Sequence, residues 1–345
     1  MQTIGIVGAG AAAAAAAFTI ERTVPKADVT VLEKSGGLCG RAATRRGDGL
    51  IYDYGANYVK SDDERVVELL TETLETDGIA DISEPIYTFD RSGAVSPGRD
   101  ADGHKWSYET GLTQIAKRLF ERAEATVHRR TPVETIRRDG ESWTLVDAEG
   151  GSWGPFDVLC LNPPAPQTAA LLDDAEWDDE RGDALREAAA AVPYRTIWTA
   201  VLRYPFRLDR PYYGLVNPKK DHAVGWISRE ECKTGHAPEG ESVLVVQAGG
   251  EWSSEHYDRD PAENVAELAE LAADIVGDER LGEPTWSDHQ GWRYALPEAG
   301  VARDPVLAAE AADLYCLGDW VAGEGRVHAA LSNGLDVGER VAHSI

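Results

Sequence analysis

The chain has 345 residues, with 34 Lys or Arg against 60 Asp or Glu and a formal net charge of −26. That length accommodates one large domain or two interleaved ones, and a hydrophobic content of 43 % excludes a disordered chain. So acidic a surface repels nucleic acid and anionic membranes, and neither is expected as a partner.

Lysine is scarce beside arginine, a composition suited to concentrated salt, where cations screen carboxylate repulsion; a halophilic origin is therefore expected, an acidic mesophilic protein being the alternative. Cys39, Cys160, Cys232 and Cys316 lie far apart with no CxxC, which points to neither a zinc cluster nor a redox dithiol. No metal site is expected. Neither a basic leader nor an uncharged apolar run of membrane-spanning length is evident, so a cytoplasmic location is the expectation.

Ile4-Gly5-Ile6-Val7 reads as a buried parallel strand, and Gly8-Ala9-Gly10-Ala11-Ala12-Ala13 follows it directly. The alanine run from Ala11 to Ala17 predicts a helix. This is the GxGxx[G/A] pattern at a strand-to-helix turn. Gly8 permits the turn, Gly10 lets backbone approach a pyrophosphate, and Ala13 allows close helix–strand packing. The helix start, with Ala12, offers open N–H groups and a positive dipole end to phosphates. Asp28 to Glu33 predicts a second strand, ending in an acid placed to accept hydrogen bonds from an adenosine ribose. A solvated strand end is the alternative reading of Glu33.

After Glu33 comes Lys34-Ser35-Gly36-Gly37-Leu38-Cys39-Gly40-Arg41-Ala42-Ala43-Thr44. This stretch resembles the GG-R-xx-[ST] motif of the two-domain flavoproteins that include amine oxidases, phytoene desaturases and renalase. The resemblance implies that Arg41 approaches the FAD pyrophosphate, a task its fork suits. Cys39 replaces the more usual glycine. Tyr52-Asp53-Tyr54-Gly55-Ala56-Asn57-Tyr58 resembles the segment passing the isoalloxazine ring, which implies flavin contact for Asn57 and Tyr58 and a structural role for Asp53.

At the other end, Leu314 to Leu317 predicts a short strand, followed by Gly318-Asp319-Trp320 and a helix beginning at Val327. This resembles the family's GD-x(5–8)-[VI]-x-A-x-x-SG motif. By that resemblance Gly318 belongs to the cofactor site, Asp319 holds the ribityl chain, and a backbone N–H near Val327 approaches the N1–C2=O edge. A helix start stabilises the negative charge of reduced flavin there. His328 is read as a helix-surface residue or one standing behind the residues that touch the flavin, a catalytic role being the alternative. With no cysteine in this segment, non-covalent FAD is expected.

Two remote ends of the chain thus specify one cofactor site. The expected fold is α/β: a Rossmann-type FAD-binding domain of the glutathione reductase/amine oxidase type, with an inserted mixed α+β substrate domain. The expected division is 1–60, 120–165 and 305–345 for the FAD unit, and 61–119 and 166–304 for the substrate unit. Thr126-Val127-His128, Val133 to Ile136 and Ser142 to Asp147 predict strands, and Phe156 to Leu161 an apolar run returning to the parallel sheet. Val133 resembles the residue whose backbone contacts adenine. Trp198 to Leu202, Ala223 to Ile227 and Val243 to Gln247 predict strands of the second unit. A helix is expected near Ala262–Val276, opened by Asp260-Pro261 and closed by Gly277.

Within this family the chain most resembles renalase and its microbial relatives. The resemblance rests on Pro164-Ala165-Pro166-Gln167, Trp226-Ile227-Ser228 leading to Lys233, Trp252-Ser253 with His256, and Gln290-Gly291-Trp292-Arg293-Tyr294-Ala295-Leu296-Pro297. Gln290-Gly291 stands where His-Arg is usual. The resemblance implies an FAD-dependent oxidase of dihydropyridine substrates, possible partners being wrongly reduced pyridine nucleotides, with dioxygen as oxidant. Asn57, Trp292, Arg293 and Tyr294 are the pocket candidates; core packing or an ion pair is the alternative for the last three. No acid–base pair stands out, so no catalytic residue is assigned, and Lys60, Lys105 and Lys233 receive no role. The alternatives are a flavin amine oxidase or desaturase, and a non-catalytic flavin redox sensor. An NAD(P) dehydrogenase is disfavoured by the match of both chain ends to an FAD cradle.

Overall fold

The computed structural model describes residues 2–98 and 103–345. Its first layer is a five-stranded parallel sheet in the order Leu314–Cys316, Val158–Leu161, Thr3–Val7, Asp28–Glu33 and Thr126–Arg129. The inner strands are short and largely apolar because both their faces are covered, while the edge strand Thr126–Arg129 is half-exposed. The expected run from Phe156 to Leu161 is divided: Val158–Leu161 joins this sheet, while Phe156 ends a strand of the three-stranded meander Val133–Asp139, Ser142–Asp147, Ser152–Phe156.

The alanine helix, Ala11–Thr23, is buried along Ala11 to Phe18. Alanine suits it because the final helix, Val327–Ser344, crosses it at backbone distance. A side chain at Gly334 would strike the Ala12 carbonyl, and one at Gly338 would reach Thr19 and Ala16. The two chain ends therefore share one core.

The second layer is a seven-stranded mixed sheet ordered Trp286–Pro297, Tyr194–Tyr204, Ser242–Ala248, Val224–Arg229, Gly214–Val216, Ile86–Phe89 and Val95–Ser96. Its back face packs Trp198, Ala200, Leu202, Leu244 and Val246 against Leu268, Ala269 and Ala272 of the helix Pro261–Val276. That helix starts and stops where the sequence places it: Asp260 accepts from the Ala262 N–H at 2.8 Å, and Gly277 closes it at φ 71°. The front face meets the hairpin Thr44–Gly47 and Leu50–Asp53 and then opens into a cleft.

The segment 61–119, placed in sequence with the substrate unit, packs on both sides of that division. Ile86–Phe89 and Val95–Ser96 extend the seven-stranded sheet, whereas Val66, Leu69, Leu70, Leu112 and Ile115 share the core of the alanine helix. The helix Thr113–Arg122 buries Ile115, Ala116, Leu119 and Phe120, an amphipathic stripe that finds its apolar partner there.

Candidate active site

A cleft of about 2280 Å³ runs between the two layers. Gly8, Gly10, Ala12, Glu33, Arg41, Asn57, Tyr58, Val133, Gly318, Asp319 and Val327 all line it. Ala13 does not; it is fully buried in the core, in keeping with the packing role read from its size.

At one end is the glycine turn. Gly8 adopts φ 89°, a conformation that disfavours any side chain. Its N–H donates to the Leu32 carbonyl at 2.8 Å, and the Ala9 N–H to Glu33 Oε2 at 2.7 Å. Glu33 Oε1 accepts from the Ser35 N–H at 2.7 Å. The Gly10 N–H donates to Asn162 Oδ1 at 3.0 Å, and Asn162 Nδ2 donates to the Leu317 carbonyl at 3.2 Å. Asn162 thus pins the first turn to the end of the last strand. The alanine helix has no side-chain cap and no acid in its first turn, so its leading amides stay open to an anion.

Cys39 occupies φ 75°, which explains why glycine is usual at this point of the loop. It is buried beside Gly10, and burial pushes its thiol up to about 12, so it is no nucleophile.

Arg41 and Asp319 meet at the middle of the cleft. Nη2 donates to Oδ1 at 2.7 Å and Nη1 to Oδ2 at 2.9 Å, and Nη1 also reaches the Ala295 carbonyl at 2.9 Å. Gly55 lies close by, and a side chain there would strike the Arg41 carbonyl and reach Trp292. The Gly318 N–H donates to Asn333 Oδ1 at 2.8 Å, anchoring the turn on the final helix. That helix opens at Val327 without a side-chain cap.

At the far end the walls are aromatic and amide-bearing. Tyr54 stacks on Trp292 at 5.1 Å between centroids, and the Arg45 guanidinium covers the other partner, 4.2 Å from the Tyr54 centroid. Tyr58 contacts Tyr213 and Trp226 at 6.1 and 6.2 Å. Burial raises the Tyr58 phenol above its ordinary range, although the Arg326 charge opposes this. Asn57 Nδ2 donates to the Asp53 carbonyl at 2.6 Å, and Tyr213 Oη donates to the Asn57 carbonyl at 3.3 Å. Tyr294 and Arg293 line the cleft; Arg293 lies 4.1 Å from the Tyr257 centroid and 3.6 Å from the exposed Asp258. His328 also lines it and faces Glu324 at 3.6 Å.

Beneath Asn57 lies a charge network with no solvent exposure. Lys233 Nζ lies 2.9 Å from Asp53 Oδ2 and 2.8 Å from Glu230 Oε1. His236 Nδ1 lies 2.7 Å from Glu230 Oε2, and its Nε2 2.9 Å from the Tyr108 carbonyl, which can only accept. Thr44 Oγ1 and the Leu112 N–H complete Asp53 Oδ1. Burial alone would raise the Asp53 carboxyl, but Lys233 and His236 hold it below its ordinary value. Burial alone would lower the Lys233 ammonium, but Asp53 and Glu230 hold it above its ordinary value. Asp53, Glu230 and His236 have the spacing of metal ligands, but the ammonium already fills their centre. Lys233 is thus fixed as a charge partner away from the cleft. Lys105 is buried, with desolvation pulling its ammonium down, while Lys60 lines the cleft.

Open helix-end amides, a guanidinium and a buried carboxylate along one elongated cleft suit a dinucleotide. Residues 6–73 match the NAD(P)-binding Rossmann-like domain, and residues 93–342 match the flavin-containing amine oxidoreductases. The chain belongs to the flavin-containing amine oxidoreductase family. It is an FAD-dependent oxidoreductase.

Solved structures with the same fold include a protein provisionally named a protoporphyrinogen oxidase, from Exiguobacterium sp. 255-15. Its TM-score is 0.80 at 17 % identity, covering 100 % of this chain and 99 % of that one. Cyclohexylamine oxidase from Brevibacterium oxydans IH-35A gives 0.74 at 13 %, covering 99 % of each chain. A reduced UDP-galactopyranose mutase gives 0.76 at 11 %, covering 100 % of this chain and 96 % of that one. At these identities the likeness is one of fold, and the fold carries several chemistries. Among the described residues no helix is long and apolar enough to cross a membrane.

The sequence reading did not single out Asn162 or Gln247 as site residues, nor Lys233 as one half of a buried pair. Only Gln247 carried a local signal, as a polar residue directly after the apolar run Val243 to Val246 of a central strand.

Proposed function

We propose that the protein is a renalase-like oxidase that takes a hydride from a dihydropyridine. In this reading Gly8, Gly10, Ala12 and Arg41 serve the FAD diphosphate, Glu33 the adenosine ribose, and Val133 the adenine through its backbone. Gly318 and Asp319 serve the ribityl chain, and Asn57, Tyr58 and the Val327 amide the isoalloxazine head. Bound FAD supplies the two-electron acceptor, the dihydropyridine becoming an aromatic pyridinium while dioxygen takes the two electrons with two protons as hydrogen peroxide.

One observation carries the reading: the cleft floor is built of flat, uncharged amide and aromatic faces. Gln290, Gln247 and Trp226 line it on the sheet, with Trp292 and Tyr58 beside them. Lys233, behind Asn57, is held by two carboxylates away from the cleft, and of the basic side chains that do line it, His328 faces Glu324. Hydride loss from a dihydropyridine needs orientation and exclusion of water rather than proton removal, and aromatic walls supply both. The Val327 helix start would stabilise negative charge on the reduced head.

The aromatic walls also favour a second reading, since such faces attract cations, and an amine substrate follows from it. Anaerobic mixing with 2- and 6-dihydroNAD(P), ordinary NAD(P)H and a panel of amines separates the two. Bleaching of the flavin by the dihydropyridine isomers supports the proposal. Bleaching by amines alone removes it, and turnover with no substrate leaves only a redox sensor.

A further inference from the structure

The strand Ser242–Ala248 lies centrally in the seven-stranded sheet, and its front-facing residues end in Gln247. In register, Thr199 pairs with Gln290 on one side and Gln247 on the other, and Gln247 pairs with Trp226. Gln290, Gln247 and Trp226 therefore lie in one row on the floor of the cleft, with Thr199 buried between the two glutamines.

Within that row the amides are not equivalent. Gln290 is fully engaged: its Oε1 accepts from Arg45 Nη2 at 2.6 Å, and its Nε2 donates to the Gly291 carbonyl at 2.8 Å. Asn57, beside the row, is half engaged in the same way, its Nδ2 donating to the Asp53 carbonyl at 2.6 Å, but its side chain is buried whereas Gln247 is half-exposed to the cleft. Gln247 is half engaged. Its contact, at 2.6 Å, is to the Gly55 carbonyl, which can only accept, so the NH₂ group must be the one that faces it. Oε1 is thereby turned the other way, and among the described residues no donor reaches it. The Thr199 hydroxyl beside it is fully buried and also unpartnered. Gly55 ties this amide to the cofactor side, because it lies so close to Arg41 and Trp292 that a side chain there would strike the Arg41 carbonyl and reach Trp292.

We propose that Gln247 recognises a carboxamide on the substrate ring, its Oε1 accepting from the substrate's amide N–H. The inference rests on the dihydropyridine reading and narrows it to ring substrates that carry a primary carboxamide. A fixed acceptor in a partly desolvated wall rejects an isostere that cannot donate, because the acceptor is then left unpaired.

The test compares a nicotinamide nucleotide with its 3-acetylpyridine counterpart, in which a methyl replaces the NH₂. Binding of the two oxidised pyridinium forms to the FAD-loaded enzyme is read from the perturbed visible spectrum of the flavin. The wild type should bind the carboxamide form about 10- to 100-fold more tightly. Gln247→Met should collapse that ratio to near unity, weakening the carboxamide form and relieving the penalty that an unpaired acceptor places on the acetyl form. The wild-type ratio needs no variant, so it stands as a test even if Gln247→Met loses FAD. Equal wild-type affinities, with bleaching by dihydropyridines intact, overturn the Gln247 assignment alone. Failure of both dihydropyridines to bleach the flavin overturns the parent reading with it.

Discussion

The Arg41 guanidinium grips the Asp319 carboxylate through two parallel hydrogen bonds of 2.7 and 2.9 Å, across 278 residues of sequence. Such fork-to-fork pairs fix orientation as well as charge. Each partner therefore presents the other to the cleft. Arg41→Ala should weaken FAD retention about 10- to 100-fold, and Asp319→Ala should do so by a similar factor, since each loses a charge-assisted contact. FAD titration monitored by flavin fluorescence measures both. Unchanged affinity in Arg41→Ala would show the phosphate assignment to be wrong.

The Lys233 network predicts a pH signature. Lys233→Met leaves Asp53 and Glu230 facing each other, buried, with a cation removed, and should cost about 3–5 kcal/mol near neutral pH. In the wild type the Asp53 carboxyl is held low, so its contribution is present above the unfolded value near 4 and is lost as pH falls through the lower, folded value. The Lys233 ammonium is held high, so its contribution is complete below about 10.4 and is lost only as pH rises through the folded value. In the variant the sign reverses for the carboxylates: their folded pKa rises, and stability is lost as pH rises. Urea unfolding at pH 5 and pH 8 should show the gap between the proteins narrowing at the acid end. A gap that is constant or widens on acidification contradicts the assignment.

How much of this was legible in the sequence follows from the range of each interaction. The glycine turn, Glu33, Arg41 and the Gly318-Asp319 turn announce themselves because a local backbone path must be built from particular residues. Asp53 was recognised as structural, but its partner was not, since Lys233 lies 180 residues away and nothing local marks the pairing. Asn162 is similar: its role depends on Gly10 arriving from the other end of the chain. The strand Trp286–Pro297 was read as a motif rather than a strand, because Arg293 and Tyr294 on an edge strand break the apolar alternation that marks buried strands. The parallel pairing of Ile86–Phe89 with Gly214–Val216 joins segments whose register only the tertiary fold fixes.

Cys39 gives a stability prediction. Its left-handed backbone costs about 1–2 kcal/mol, which Cys39→Gly relieves while losing a buried side chain worth about the same. The two should offset to within about 1 kcal/mol. Cys39→Val places a β-branched residue at the same φ and should destabilise by about 2 kcal/mol or more. Thermal melts of the holoenzymes distinguish the pair, and equal melting temperatures for the Gly and Val variants would contradict the strain argument.

A net charge of −26 predicts a salt response. Self-repulsion between exposed carboxylates is screened within a few ångströms at molar ionic strength. The melting temperature should therefore rise between about 0.1 M and about 2 M KCl. A flat or falling profile would mean that the acidic surface carries no such adaptation.

The most direct test of the proposed reaction is its stoichiometry under air. Purified holoenzyme supplied with a limiting amount of 6-dihydroNAD should release one hydrogen peroxide and one NAD⁺ per substrate consumed, and none from putrescine or cyclohexylamine. Peroxide and ammonia formed from the amines, with the dihydropyridine untouched, would contradict the account.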